Sequence, residues 1–501
     1  MIIQLEKRGF DDFDTEIYHI CKLFFDSVEW YQETDEREPD ARIRLEVSHS
    51  DHPRQVLAMV QYIPASGEVW SSREVRRLSG LTEEEIRRET KRAIGAALVT
   101  AMEQATGLHQ PWGILTGVRP TKLLHQMLQD HSLEECKRIL REEYRVTEPK
   151  LALLADIVQR QLKVIPDLYN LNREVSLYIG IPFCPTKCAY CTFPAYDIRG
   201  HNGSVDGFLE GLDYEIRRVG DWIRRSGLGV TTVYWGGGTP TSIEADQIDR
   251  LFAAMHDAIP GMDRVRELTV EAGRPDTITP EKIQVLKRWK VDRISINPQS
   301  FTQSTLDTIG RHHTVKETIE TYKLCRELGM NNINMDLIIG LPNEGVRELT
   351  HSLEETEKLR PESLTIHTLS FKRASRMTQN REQYEVAGRD EVQRMVELAQ
   401  QWTAAHRYYP YYMYRQKNML GNQENVGYSL EGFESLYNII MMEERQTIIG
   451  LGCGAVSKVV GSDGTIERFP NPKEPSAYNR AYEQYTEKKL ALLDENIMKV
   501  N

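Results

Sequence analysis

Short apolar runs alternate with longer amphipathic stretches from residue 174 onward. The strand candidates are 175–183, 230–236, 267–272, 293–298, 332–340 and 363–371. Between them, stretches with one apolar face predict helices at 208–225, 244–259, 280–290 and 315–330. Strands that alternate with helices favour parallel βα units. The pattern therefore predicts an α/β fold, and in a parallel barrel the ligand site lies at the C-terminal ends of the strands.

The flanking sequences have a different pattern. Residues 1–170 predict an α+β extension, with strands at 41–49 and 55–64 and a long helix within 81–107. Thr82 is the predicted N-cap of that helix, Glu85 stands at its capping-box position, and Gly107 closes it. Residues 381–501 mix helix with tyrosine-rich and glycine-rich runs, and their tail, 478–501, predicts a charged surface helix. The chain is thus predicted to have three domains: 1–170, 171–380 and 381–501.

Composition narrows the class of protein. The 501 residues are 40 % hydrophobic and 27 % charged, as expected for a folded chain, and the net charge of -11 argues against binding to nucleic-acid backbones. No apolar run reaches the roughly 18 residues of a membrane span, and the N-terminus lacks the apolar core of a signal peptide. Seven cysteines, an odd number, favour a reducing compartment. We therefore predict a cytoplasmic protein without a membrane span.

Three of the seven cysteines stand within eight positions, in CPTKCAYC (184–191). A structural zinc ion usually takes four ligands, and no histidine or fourth cysteine lies nearby in the sequence. Three thiolates instead suit a cubane iron–sulfur cluster with one iron left open for an outside ligand. The alternative is an incomplete zinc knuckle. Cys184, Cys188 and Cys191 are therefore the candidate metal ligands.

Polar residues gather where the predicted strands end. The run GGGTPT (236–241) follows the second strand, and its glycines allow a close approach of backbone to a ligand, although a plain turn would also use them. Asp336 lies within the apolar run of the fifth strand, where a carboxylate is costly to bury without a partner, so we expect a functional role. Arg311 is a candidate partner for it, or else a solvated loop arginine.

The longer string LYIGIPFCPTKCAYCTF (177–193) resembles the signature of the radical S-adenosylmethionine (SAM) enzymes, and in particular the oxygen-independent coproporphyrinogen III dehydrogenase branch, which also includes heme chaperones. The N-terminal extension resembles that of a Bacillus-type second-oxidase subgroup. The resemblance implies a partial (β/α)6 barrel flanked by an α+β N-terminal domain and a mixed, largely helical C-terminal domain. It also implies a [4Fe–4S] cluster on the three cysteines, whose fourth iron SAM chelates. One electron from the cluster then cleaves SAM to a 5′-deoxyadenosyl radical.

The same resemblance implies the cofactor contacts, and no catalytic side chain is assigned beyond them. The glycine-rich segment would contact the amino-acid end of SAM, two tyrosines would line the SAM beside the cluster, and the set around Asp336 would help to hold a second SAM. One SAM is thus implied and a second stays open. The implied contact residues are Tyr178, Tyr190, Gly237, Gly238, Thr239, Glu271, Gln299, Arg311, Asp336, Ser370 and Val456.

Four departures from the family pattern concern the substrate. Gly180 replaces a histidine, Asn297-Pro298 replaces the usual Gly-Val, the loop after Glu271 is one residue longer, and Phe193 stands where the dehydrogenases carry a further cysteine, as in the chaperones. Against the chaperones, the HNxxYW stretch common in their C-terminal half is missing, and ENVGYS (424–429) is the nearest segment.

Three functions remain open, and we favour the first. This is the decarboxylation of coproporphyrinogen III to protoporphyrinogen IX, with a flavodoxin or ferredoxin as the usual type of electron donor. The others are heme delivery as a chaperone and radical SAM chemistry on another molecule. Lys372, Arg373 and Arg376 follow the sixth strand and could hold the propionates of a tetrapyrrole, although a solvated basic loop is an equal alternative.

Overall fold

A computed structural model describes residues 1–498 apart from 26, 33, 36, 52, 53, 81, 118, 201, 373, 417, 462 and 463. The chain divides into two compact units, Met1–Asp156 and Ile157–Asn501. Among the described residues, no helix is both long and apolar enough to cross a bilayer.

The first unit is an α+β fold built on a five-stranded sheet. Its elements are β1 (Ile2–Arg8), α1 (Asp14–Phe24), β2 (Glu29–Trp30), β3 (Ala41–Asp51), β4 (Arg54–Pro64), β5 (Trp70–Arg77), α2 (Glu83–Thr106), α3 (Pro120–Met127), α4 (Leu133–Glu142) and α5 (Glu148–Val164). The strand order is β2-β1-β3-β4-β5, with β1 parallel to its two neighbours and β3, β4 and β5 antiparallel. Alternate residues of β3 and β4, such as Ile43 and Val60, join residues of α1 and α2 in one apolar core.

The long helix α2 has the ends that the sequence predicts. The Thr82 side chain accepts a hydrogen bond from the Glu85 amide, and Gly107 ends the helix with a φ of 69°. The carboxylate of Glu85 does not complete a capping box, because it binds the backbone amides of Ser79 and Gly80 instead. That contact ties the helix start to the preceding turn.

The second unit contains the predicted barrel. Its elements are β6 (Glu174–Ile181), β7 (Phe183–Cys184), β8 (Tyr196–Asp197), α6 (Val205–Ser226), β9 (Gly229–Gly237), α7 (Ala245–Ala258), β10 (Glu267–Glu271), α8 (Pro280–Arg288), β11 (Arg293–Ser295), α9 (Gln303–Thr308), α10 (Val315–Glu327), β12 (Ile333–Ile339), α11 (Val346–Leu359), β13 (Ser363–Thr368), α12 (Arg376–Gln379), α13 (Arg389–Ala405), β14 (Tyr409–Tyr414), β15 (Asn425–Ser429), α14 (Leu436–Glu443), β16 (Ile448–Gly452), β17 (Val456–Val460), β18 (Ile466–Pro470) and α15 (Pro475–Leu493).

Six parallel strands form the centre of this unit in the order β6-β9-β10-β11-β12-β13, which is their order along the chain. Each coincides with one of the six predicted strands, and the four predicted helices coincide with α6, α7, α8 and α10. The architecture is the expected α/β arrangement of a partial (β/α)6 barrel. Since neighbouring strands are parallel, their C-terminal ends meet at one edge, where the cysteines lie.

Two features of this unit were not predicted from the sequence. The helix α11 connects the fifth and sixth strands of the barrel. The strand β16 pairs in parallel with β6, so that Gly452 stands opposite Gly180, and it adds a seventh parallel strand at the open edge. At the other edge β15 pairs antiparallel with β13, and the whole sheet has eleven strands among the described residues.

These pairings explain why the division of the chain differs from the three predicted domains. The segment 381–501 supplies β14 to β18 to the same sheet as the barrel and therefore belongs to the same compact unit. The boundary at Asp156 lies within α5, 14 residues before the predicted one at 170. The tail helix α15 is also not a purely surface element, because Tyr478, Lys489 and Leu493 are fully buried.

Candidate active site

The three candidate metal ligands lie in a loop at the C-terminal end of β6. The loop is closed by a short parallel pairing of β7 with β8, which joins Cys184 to Asp197. Cys184 and Cys188 are each only 9 % exposed, and Cys191 is half-buried. Burial, with a smaller contribution from the nearby thiols of Cys191 and Cys188, raises the pKa of the Cys184 thiol to about 11. The three thiols therefore share one sheltered region.

The ends of other strands hold this loop in place. The guanidinium of Arg274, which follows β10, donates hydrogen bonds to the carbonyl and hydroxyl oxygens of Thr186 at 3.3 and 3.0 Å. The Ala189 amide donates to the Ile309 carbonyl at 2.9 Å, and the Ala189 carbonyl accepts from the Met377 amide at 3.0 Å. The loop thus rests on segments that follow three other strands of the barrel.

The glycine-rich run after β9 lies directly against the cysteine loop. The amides of Gly238 and Thr239 donate to the carbonyls of Ile181 and Phe183, both at 2.7 Å. A Cβ atom on Gly238 would come within 2.5 Å of the Phe183 carbonyl oxygen. These two amides therefore bind backbone rather than a free ligand, and the glycine is needed because two backbones meet here.

A cluster of stacked tyrosines lines the barrel beside Glu271. The ring of Tyr178 lies 6.2 Å from that of Tyr234 and 6.3 Å from that of Tyr437. The Tyr234 hydroxyl donates a hydrogen bond to the Glu271 carboxylate. The pKa of Glu271 is raised to about 7, because burial and the charge of Asp336 raise it by more than the Tyr234 hydrogen bond lowers it. Near neutral pH this carboxyl group can therefore hold or release a proton.

The partner of Asp336 is His367, not Arg311. Its carboxylate lies 3.5 Å from Nε2 of His367 and accepts a hydrogen bond from the Asn334 amide at 2.7 Å. Burial opposes ionisation of Asp336, but His367, Asn334 and a neighbouring threonine hydroxyl together keep its pKa below the ordinary value. The other ring nitrogen of His367 is 3.3 Å from the Tyr414 hydroxyl. The two carboxyl groups Glu271 and Asp336, which interact electrostatically, thus have pKa values shifted in opposite directions.

Arg311 is buried and has other partners, so the expectations that it pairs with Asp336 or is a solvated loop arginine are wrong, whereas its predicted contact with SAM stays a prediction. Its guanidinium donates to the Gly273 carbonyl at 2.7 Å, to the Asn297 carbonyl at 2.9 Å and to the Tyr190 hydroxyl at 3.3 Å. It therefore links the ends of β10 and β11 to the cysteine loop. The sequence showed a cation and an anion of plausible spacing, but only the fold determines which side chains meet.

Asn297 Oδ1, Gln299 Oε1 and Arg311 Nε are among the buried polar atoms that have no hydrogen-bond partner in the described part of the chain. Gln299 has a φ of 66°, and its amide and carbonyl are bound to the strand that carries Asp336. Buried polar atoms are normally paired, so unpaired ones at strand ends indicate a place for a polar ligand. Together with the sheltered thiols, this chemistry fits a cluster and a SAM molecule.

The last two predicted SAM contacts are Ser370 and Val456. Ser370 is buried and forms a bridge to Met419. Val456 is exposed at the start of β17. The β16–β17 loop before it does reach the cysteine loop, because a Cβ on Gly454 would lie 2.7 Å from Pro194. The same packing accounts for Gly180, whose Cβ would lie 3.1 Å from the Cys453 carbonyl oxygen.

Sequence reasoning missed His367 and Tyr234. Both stand in apolar strands, at 367 in SLTIHTLSF and at 234 in VTTVYWG. A histidine within a buried strand is, like Asp336, a polar side chain that is costly to bury, and this signal could have identified His367.

Arg373 lies outside the described residues. Among the described residues, no three His, Cys, Asp or Glu side chains, the three loop cysteines included, are arranged around a single metal ion.

Comparisons with known proteins agree with this geometry. Residues 178–356 match the family model described as the Radical SAM superfamily. The oxygen-independent coproporphyrinogen-III oxidase-like protein HemZ of Bacillus subtilis is 52 % identical over 502 aligned residues, which cover 99 % of this chain and 98 % of that protein. The heme chaperone HemW of Bacillus subtilis is 29 % identical over 57 % of this chain and 72 % of its own. The solved structure of coproporphyrinogen III oxidase (HemN) from Escherichia coli, a radical SAM enzyme, shares the fold with a TM-score of 0.50 and 20 % identity over 64 % of this chain and 72 % of that one.

Proposed function

Because this chain belongs to the radical SAM superfamily, in the HemZ-like and HemN-like group of porphyrin and heme metabolism, we propose that it is an oxidoreductase that decarboxylates coproporphyrinogen III to protoporphyrinogen IX without oxygen. The observation that carries the proposal is the similarity to an oxidase-like relative along the full length, cysteine loop included. The family implies a [4Fe–4S] cluster and SAM.

Cys184, Cys188 and Cys191 would hold the cluster, and the unpaired atoms of Asn297, Gln299 and Arg311 would contact SAM. When bound, this pair supplies a one-electron cleavage that generates a hydrogen-abstracting radical. The chain's own residues have simpler tasks. The loop contacts of Arg274 and the glycine-rich run keep the thiols fixed and sheltered, which limits access of water and oxygen.

The carboxyl groups inside the barrel would bind the polar part of SAM. Asp336, held as a carboxylate by His367, can accept hydrogen bonds from hydroxyl groups, and Glu271 can accept or donate because its pKa is near 7. Whether one or two SAM molecules bind is testable by equilibrium dialysis. We propose that Asp336→Asn lowers the stoichiometry only if a second SAM binds there.

Each reacting propionate loses one hydrogen atom from its β-carbon to the radical, and the resulting substrate radical releases CO2 and one electron to give a vinyl group. Two propionates react, so two SAM molecules and two input electrons are consumed. A one-electron donor such as a flavodoxin or ferredoxin would supply the input electrons, and an acceptor must take up the electrons released.

An anaerobic turnover assay tests the proposal. The reconstituted protein receives SAM, a reductant and coproporphyrinogen III, and mass spectrometry follows tetrapyrroles and 5′-deoxyadenosine. We expect protoporphyrinogen with roughly two deoxyadenosines per molecule. Cys184→Ala should abolish it, and the matched control Cys325→Ala, a buried cysteine in α10, should not. Deoxyadenosine without a decarboxylated tetrapyrrole would contradict the assignment of substrate.

One observation favours heme delivery as a second candidate. Phe193 follows the third cysteine by two positions, as in the chaperone branch, and HemW proteins are among the relatives. A chaperone would take up heme tightly and transfer it to an acceptor protein without decarboxylating coproporphyrinogen. Heme transfer with no vinyl product in the assay above would therefore replace the first proposal with the second.

A further inference from the structure

Phe193 is an apolar side chain left in solvent beside the cysteines. Its ring is 58 % exposed, although it stands only two residues after Cys191. Single exposed apolar residues are common on protein surfaces and alone indicate nothing. The exposure of Phe193 becomes informative together with the cationic side chains near it.

One cation lies beside that ring, and three more lie on the cysteine loop or on the segment that follows Phe371. The ammonium of Lys372 lies 5.8 Å from the centre of the Phe193 ring. Arg381 lies 4.2 Å over the ring of Phe371, the residue before Lys372. Arg376 donates a hydrogen bond to the carbonyl of Lys187 at 2.7 Å, which places both on the outer side of the cysteine loop. We call Phe193, Lys187, Lys372, Arg376 and Arg381 the basic rim.

The cations of the basic rim have no carboxylate partner among the described residues. None of the four forms an ion pair there, whereas most arginines on α6 and α7, such as Arg217 and Arg250, bind an aspartate or glutamate. The lack of carboxylate partners is notable because the chain as a whole carries a net charge of -11 and so has more carboxylates than cations. An exposed ring, with cations that lack a carboxylate partner on the same and the neighbouring segments, fits a ligand that is flat and apolar in its centre and carries several carboxylates at its edge.

We propose that the basic rim binds the tetrapyrrole, with Phe193 against the macrocycle and the four cations on its propionates. This rests on the proposed function and deepens it, because it assigns residues to the substrate. The position fits the chemistry, since a substrate bound next to Cys191 is close to the cluster whose cofactor must reach it. It also gives Phe193 a role in either candidate function, because heme and coproporphyrinogen share the ring and the propionates.

Binding of coproporphyrin III, the stable oxidised form of the substrate, tests the proposal by fluorescence titration of the reconstituted full chain. We expect Phe193→Ala to raise Kd about tenfold, which corresponds to the loss of one aromatic contact, and Phe193→Tyr to restore it. Lys372→Gln and Arg381→Gln should each raise Kd about fivefold, and added salt should weaken binding by the wild type. Mesoporphyrin, with two carboxylates, should bind more weakly than coproporphyrin, with four.

Two matched controls belong to the design. Arg250→Gln removes an exposed cation on α7, and Tyr409→Leu removes an aromatic ring under the Arg160 guanidinium, with a spacing of 4.2 Å, on another face. Neither should change Kd. Iron content and SAM binding, measured in every variant, should match the wild type.

The outcomes separate this proposal from the proposed function. Tight coproporphyrin binding that the rim variants leave unchanged, with normal turnover, overturns the basic rim and spares the function. Rim-dependent binding without a vinyl product supports the rim and overturns the oxidase. A wild type that binds no porphyrin overturns both. Unchanged porphyrin binding with slower reduction by a flavodoxin would make the rim a donor-docking surface and overturn the proposal.

Discussion

The buried pair of Glu215 and Lys489 joins α6 to the tail helix α15, and its removal should destabilise the second unit strongly. The two side chains are 1 % and 0 % exposed. The Glu215 carboxylate accepts hydrogen bonds from Lys489, from the Gly452 amide at 2.6 Å and from the Asn471 and Tyr478 side chains at 2.8 and 2.7 Å. Lys489 also donates to the Gly450 carbonyl.

Lys489→Met keeps the length of the side chain and removes its charge. The carboxylate is then buried without a counter-charge, and breaking a buried pair in this way costs about 3–5 kcal/mol. The three other donors to Glu215 remain, so we expect a loss near the lower end, about 3 kcal/mol. The double variant Glu215→Gln/Lys489→Met leaves no buried charge and should lose only about 1–2 kcal/mol.

The same two helices supply the control. Arg218 on α6 pairs with Glu487 on α15 at 2.8 Å, but both side chains are partly exposed. An exposed pair of this kind contributes at most about 1 kcal/mol, so Arg218→Gln should be nearly neutral. Urea titrations followed by circular dichroism measure the free energies, and hydrogen exchange of the α15 amides shows whether this helix detaches first.

A loss of unfolding free energy in Lys489→Met no larger than that in Arg218→Gln would refute the account of a buried charge held by Lys489.

Three further predictions concern the barrel. Gly238→Ala should lower iron content after reconstitution and cost about 1–3 kcal/mol, because its Cβ meets the backbone of β7, whereas Gly388→Ala, with open space around it, should do neither. Burial raises the pKa of Glu344 to about 7, so the folded chain holds a proton that the unfolded chain releases above about pH 4.5. The free energy of unfolding should therefore fall as pH rises from 5 to 8. Calorimetry over this pH range should show a smaller fall for Glu344→Gln than for the wild type. His367→Leu removes the group that keeps Asp336 ionised, so dialysis should show SAM binding weakened more at pH 6 than at pH 8, and an equal loss at both would contradict this role.

The parallel core of the barrel was predictable because each strand is a short apolar run between amphipathic helices. The strand β16 was not, since IIGLG contains two glycines and its partner β6 lies about 270 residues earlier in the sequence. Local patterns report local propensity, and pairing across such a distance depends on the packing of the whole unit.

The chemistry of the site was predictable to a similar extent. The spacing of Cys184, Cys188 and Cys191 indicated their common loop, and an aspartate in an apolar strand indicated a special environment. The choice of His367 over Arg311 as the partner of Asp336 was not available from the sequence. Both are basic side chains in reach of the strand ends, and side-chain direction from neighbouring strands decides between them.

The pairing of β16 with β6 has a consequence for the order of events during synthesis. The cysteine loop follows β6 directly, but one neighbour of β6 and the Gly454 contact with Pro194 come from residues made about 270 positions later. Long-range parallel pairing of this kind is slow to form. We therefore expect the three thiols to stay open to delivery of iron and sulfide until the ribosome has nearly finished the chain, and to become enclosed only when the C-terminal strands and α15 arrive.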